Sequence, residues 1–330
     1  MQIISRIFNL RPGDFARGLP LFAYYFLIIT FYQIGRVARV AIFLDHFKPA
    51  QQPYADMSVA LLAGFVISLY IRAGHKVSLR NLQIGTLIFF AANLTAIWWG
   101  LEVQKWAWLG PLFYLWVGIF GILAVAQAWT LANFVWTTRE AKRLFGMFGS
   151  GGIIGGSFGG FLGGWIAVHF GAESTLLFMA GFLLFSAALV GIISNQNGSV
   201  SSESDTGNSE SAPRNLAGSL RLVSQSYHLQ TIAALICLSS VVTAVAGWQL
   251  NAIAKETLVQ KNAIAQFLGN VQGYTGLLAL IVQLLTARLL LAYMFTCSTP
   301  SSIPASVMVM AMFQACERAL MRCCCSARLR

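Results

Sequence analysis

Charge is scarce in this chain. Asp, Glu, Lys and Arg make up 10% of it against 57% hydrophobic residues, whereas a soluble domain carries roughly 25% charged residues. An ordinary soluble globular domain is thereby excluded, and a mean hydropathy of +0.68 points the same way. Histidine is scarcer still. His46, His75, His169 and His228 are scattered, with no HxxxH pairing and no acid at ligand spacing, so no metal centre is expected. Lysine is missing after the glycines of 146–152, where Ile153 and Ile154 follow instead. Without GxxxxGK[ST] there is no phosphate loop for nucleotide hydrolysis. No other enzyme constellation is visible, and no cofactor is implied. A basic stripe on a soluble face is also lacking, because the net charge of +11 comes from residues set between apolar runs. That distribution argues against nucleic acid as a partner. The first apolar run exceeds the roughly 7–15 residues of a signal-peptide core and ends in Asp45-His46-Phe47-Lys48. Five of the six cysteines (Cys297, Cys316, Cys323, Cys324, Cys325) fall in the last thirty-four residues, a skew unlike a disulfide framework.

Long apolar runs, by contrast, are abundant. A membrane span needs about 20 predominantly apolar residues, and eight stretches qualify: 18–44, 54–71, 82–100, 108–135, 145–168, 174–194, 230–250 and 266–291. Lys and Arg in short connections set orientation. Arg6, Arg11, Arg17, Arg72, Lys76, Arg80, Arg139, Lys142, Arg143, Arg214 and Arg221 lie on one side; Lys48, Lys105, Lys255 and Lys261 lie on the other. The expectation is a multi-pass protein of a cell (inner) membrane with a cytoplasmic N-terminus and lipid as its solvent. Residues 195–225 are rich in Ser, Asn, Gly and Glu and almost free of aromatics, which reads as a flexible cytoplasmic linker. Six spans, a long loop and further spans form the layout of a major facilitator transporter. The expected fold is thus an all-α membrane protein, a major-facilitator-like helical bundle. Residues 1–194 form a six-helix half, 195–228 the linker, 229–292 a partial second half and 293–330 an atypical tail. The plainer alternative is a generic polytopic protein with one long loop.

The fifth span carries ten glycines between Phe145 and Trp165, paired at 151/152, 155/156, 159/160 and 163/164. A period of four leaves a strip without side chains, which lets another helix approach closely. Gly151, Gly152, Gly155, Gly156, Gly159 and Gly160 are expected to pack against the first or eighth span; a pivot is the alternative.

Three segments carry a family resemblance. The stretch Ala132-Asn133-Phe134-Val135-Trp136-Thr137-Thr138-Arg139-Glu140-Ala141-Lys142-Arg143-Leu144-Phe145-Gly146 resembles the "FANxxxTxxEAKxxxxLFG" segment of the plastid- and parasite-type ATP/ADP translocases, nucleotide transporters of major-facilitator-like fold. Ile34-Gly35-Arg36-Val37-Ala38-Arg39-Val40 resembles their "LRDxKD" stretch. Phe267-Leu268-Gly269-Asn270, Thr275-Gly276 and Ala287-Arg288-Leu289 resemble "FMGxxxxxTG…GR", with Lys255 upstream. The resemblance implies nucleotide exchange, but Val40, Val117 and Asn251 stand where the family has acids. The chain is similar to a distant bacterial-type relative that keeps the basic positions.

Arg36 and Arg39 share a helix face, and their guanidinium forks suit phosphate or carboxylate. They either line a central cavity or snorkel to the headgroups at the outer end of the span. Lys255 and Asn251 would frame a small anionic substrate, nucleotide-like, from the opposite half; an ordinary interfacial lysine is the plainer reading. Asn133 and Gln127 either orient substrate or bond a neighbouring helix, the latter favoured for Gln127. Glu140, Lys142 and Arg143 are expected to gate from the cytoplasmic side, or only to fix topology. Secondary transport by alternating access is the expected function, with a non-transporting membrane sensor or scaffold as the other class. After Leu291 the pattern changes, and Arg322-Cys323-Cys324-Cys325 suggests a truncated or out-of-frame tail. A ninth amphipathic span with palmitoylated cysteines is its rival.

Overall fold

A computed structural model describes residues 14–74, 77–106, 108–136, 138–196, 227–258 and 260–296. Residues 197–226 of the expected linker and 297–330 of the expected tail lie outside the described residues. Eight long helices account for nearly all of the chain described: α1 (Asp14–His46), α2 (Gln52–Gly74), α3 (Leu79–Glu102), α4 (Leu109–Val135), α5 (Thr138–Phe170), α6 (Thr175–Gln196), α7 (Tyr227–Thr257) and α8 (Lys261–Thr296). A short 3₁₀ turn, Pro49–Gln51, precedes α2. Among the described residues there is no strand. All eight helices contain a stretch of 20–29 residues long and apolar enough to cross a membrane. The apolar runs of the sequence map onto these helices one to one.

Local chemistry sets the breaks. Trp136 is extended (φ −104°, ψ 138°) and separates α4 from α5. Gly171 closes α5 at φ +90°, and its N–H donates to the Ala167 carbonyl at 3.2 Å. Glycine takes that left-handed position without a Cβ penalty. The helices alternate in direction, so the turns after α1, α3, α5 and α7 lie on the face opposite the N-terminus, here the far face.

α1 is the hub, with 72% of its span buried. It packs on α5, α4, α6 and α8, while α3 lies against α6 and α2 against α4. Aromatic rings fill the core between α1, α3, α4 and α5. Phe31 meets Phe120 edge-on at 4.7 Å, Phe120 meets Phe90 at 4.6 Å, and Tyr25 stacks on Phe148 at 4.2 Å. A smaller core joins Phe43, Tyr114, Ala254, Ile264 and Leu268 at the far face. α7 stands apart: its most apolar stretch is unburied, its buried residues Asn251 and Ala254 lie near its end, and it touches mainly α8 and the 3₁₀ turn.

The paired glycines divide between two neighbours. On one face, a Cβ at Gly155 would lie 2.5 Å from the Phe26 carbonyl oxygen, one at Gly159 2.5 Å from the Thr30 carbonyl oxygen, and one at Gly163 3.2 Å from Ile34 Cα. On the other, a Cβ at Gly160 would lie 2.7 Å from the Gly273 nitrogen, and one at Gly269 2.6 Å from the Gly160 carbonyl oxygen. The helix thus meets α1 and α8 at once, rather than one or the other. Two hydrogen bonds run across these contacts, Thr30 Oγ1 to the Gly155 carbonyl at 3.2 Å and Ser157 Oγ to the Gly273 carbonyl at 2.8 Å. Gly156 is the exception, since a Cβ there would meet Gln33 at an ordinary 3.7 Å. Gly152 faces the flexible ring of Tyr25, and Gly151 faces Phe22.

Candidate functional site

α1 continues ten residues beyond Arg36, to His46. At about 1.5 Å per residue Arg36 sits roughly 15 Å inside the helix end. Arg36 and Arg39 open into a cavity of about 440 Å³ walled by α1, α2, α4, α7 and α8. Within a span, such ionisable groups mark polar cavities.

The wall combines residues of α1, α2 and α4 with residues of α7 and α8. Gln272 of α8 accepts from Arg36 Nη1 and from Gln33 Nε2, each at 3.5 Å. These are long bonds that a tighter acceptor would displace. Arg39 lies over the Tyr114 ring of α4, with its guanidinium carbon 4.6 Å from the ring centroid, a cation–π geometry. Its Nε is buried with no hydrogen-bond partner, an arrangement that leaves donor capacity unspent. The Tyr114 hydroxyl donates to Asp56 Oδ1 at 2.7 Å. Asp56, from α2, also lines the cavity, as do Ser239, Ser240 and Thr243 of α7.

Two polar contacts pin the far end of α7. Asn251 Nδ2 donates to Gln52 Oε1 at 3.1 Å, and both side chains are buried. Trp248 Nε1 donates to the Pro49 carbonyl at 2.9 Å.

Of the residues singled out from sequence, Arg36, Arg39 and Asn251 come together here. Lys255 does not: it lies one turn beyond Asn251 and is not among the lining residues. Asn133 is exposed near the end of α4 on the N-terminal face, away from the cavity. The bond expected of Gln127 runs through its backbone, whose carbonyl accepts from Gln83 Nε2 at 3.1 Å. Its buried side-chain amide has no partner. Glu140 is half-buried in the first turn of α5, with Lys142 and Arg143 in the same turns of helix. Asp56, Tyr114, Gln52 and Gln272 were not expected.

A second cavity, of about 410 Å³, opens on the far face between Asp45, Glu102, Lys105, Glu173 and Lys261. Lys261, at the start of α8, pairs with Glu173 and lies 3.8 Å from Asp45. The Ala172 N–H donates to Asn262 Oδ1 at 3.2 Å. These contacts fasten the entry of α8 to the turn between α5 and α6. Among the described residues, no group of three or more His, Cys, Asp or Glu side chains could hold a metal ion.

No family model matches the chain, and neither does any curated protein or any solved structure.

Proposed function

We propose that the chain is a multi-pass secondary carrier for a small anionic solute, working by alternating access in a cell membrane with its N-terminus in the cytoplasm. One observation supports this above the others: two arginines well inside a span-length helix share a polar cavity, and one keeps a buried, unpartnered nitrogen. Carrying charge at that depth is costly unless a ligand or cavity water compensates it. The guanidinium geometry favours phosphate or carboxylate. The resemblance to ATP/ADP translocases makes a nucleotide the first candidate, and a cavity of about 440 Å³ falls in the size range of small-molecule sites. The major-facilitator-like arrangement of two halves belongs to the same proposal, with the cavity between α1, α2, α4 and the pair α7–α8 as its substrate site.

Reconstitution in vesicles with a panel of nucleotides and smaller anions tests the proposal. Saturable uptake lost on Arg39→Ala supports it; no uptake and no binding of any anion refutes it. The exposed face of α7 favours a second reading, an anion-binding membrane protein that does not transport. One helix alone closes the cavity on that side. Binding without flux would select it.

A further inference from the structure

Resting on the reading of this cavity as an anion site, we propose that its ligand also carries a protonated amine or an equivalent donor, and that Asp56 selects for it. The cavity wall displays both signs of charge separately. Arg39 lies on the face of the Tyr114 ring, and Asp56 accepts from the hydroxyl at the ring's edge. Tyr114 itself is fully buried, so the ring is a fixed spacer between them. Among the described residues the ion pairs shown are those of Lys261, and Asp56 bonds to neither arginine.

That separation is informative. Asp56 is exposed at the cavity mouth and the arginines are half-buried, and opposite charges so placed still gain by direct contact. A carboxylate serving only to neutralise Arg36 and Arg39 would pair with them. Here one Asp56 oxygen is taken by Tyr114, while the other has no partner among the described residues. A simple anion would be drawn to the guanidiniums and repelled by this carboxylate. A ligand with an anionic end and an ammonium end meets complementary charge at both. Rejection of the simple anion is then supplied by repulsion as much as by attraction to the right ligand. The remaining polar groups of the wall carry no charge: Gln52 and Asn251 are bonded to each other, Ser240 donates to the Ile236 carbonyl, and Ser239, Thr243 and Gln272 complete the lining.

Phosphoethanolamine and propyl phosphate test this, since a methyl group replaces the ammonium and little else changes. Calorimetric titration of the detergent-purified full chain should give phosphoethanolamine an advantage of about tenfold or more, the size of one charge-assisted hydrogen bond. Asp56→Asn should reduce that ratio to within about threefold by weakening phosphoethanolamine. Arg39→Gln should weaken both ligands. Tyr114→Phe keeps the carboxylate but removes its tether, and should also lower the ratio. It serves as the second test if Asp56→Asn fails to fold, as judged by thermal unfolding. Equal or tighter binding of propyl phosphate to the unaltered chain overturns the inference, as does a ratio unchanged in a folded Asp56→Asn or Tyr114→Phe variant. Binding of neither probe to a folded chain overturns the anion site itself.

Discussion

Gly155 and Gly156 are adjacent in sequence, yet adding one methyl group to each should have opposite effects. At Gly155 the new carbon would lie 2.5 Å from the Phe26 carbonyl oxygen, a backbone atom that cannot rotate away. To reach ordinary contact, α1 must retreat from α5 by about 1 Å, and overpacking of this kind costs about 1–3 kcal/mol. The same retreat stretches the Thr30–Gly155 hydrogen bond, worth about 1 kcal/mol. Alanine's better helix propensity returns about 1 kcal/mol. The net loss is about 1–3 kcal/mol, taking these contributions together. At Gly156 the nearest heavy atom would be 3.7 Å away, so only the propensity gain of up to about 1 kcal/mol remains. The two alanine variants should therefore unfold on the order of 5–10 °C apart in detergent, Gly155→Ala lower, given a few degrees per kcal/mol for chains of this size. Equal melting temperatures, or a lower one for Gly156→Ala, would refute the close backbone contact of Gly155 with α1 and the ordinary side-chain contact at Gly156.

Lys261→Met should lower the melting temperature by about 1–3 °C, the scale of a partly exposed ion pair. The difference should shrink in about 0.5 M salt, and a salt-independent loss would count against the pairing with Glu173 and Asp45. Asn251→Ala, which empties the bond to Gln52, should speed hydrogen exchange around 248–257 while leaving the centre of α1 protected. Unchanged exchange in α7 would show that other contacts hold it. Glu140→Ala should shift the balance of inward and outward states, read as altered protease cleavage of the 195–225 segment in membranes, with anion affinity retained. Unchanged cleavage together with unchanged transport kinetics would leave Glu140 a topological residue only.

The spans were legible because length and hydropathy decide them with little help from tertiary context. Predicted 82–100 and 108–135 became Leu79–Glu102 and Leu109–Val135. Arg36 and Arg39 stand out in the sequence as cations in an apolar run, and both line one cavity. Asp56 does not stand out, for a reason of boundaries. With the second span read from residue 54, an acid at 56 looks like an interfacial residue. The apolar stretch instead begins at Pro49, which places Asp56 well within it rather than at its edge. Gln272 was hidden inside a stretch valued for its glycines. Lys255 shares roughly the face of Asn251 but lies one turn further along α7, and it is not among the residues that line the cavity. The joint between Lys261, Glu173 and Asp45 links residues 88 or more apart in sequence, which no local pattern encodes. The glycine pairing foretold close approach but not that two partners would share it, since a four-residue period describes either face equally well.

The glycine contacts have one more effect, exerted from behind the cavity. Both α1 and α8 rest directly on the backbone of α5, so the gap between them is fixed by atoms that no ligand touches. Across that gap Arg36 and Gln33 reach Gln272. Bulk introduced along α5 would act as a shim, prising the arginine from the glutamine and enlarging the aperture. The width of the cavity is therefore open to tuning by substitutions on a helix that lies wholly outside its lining.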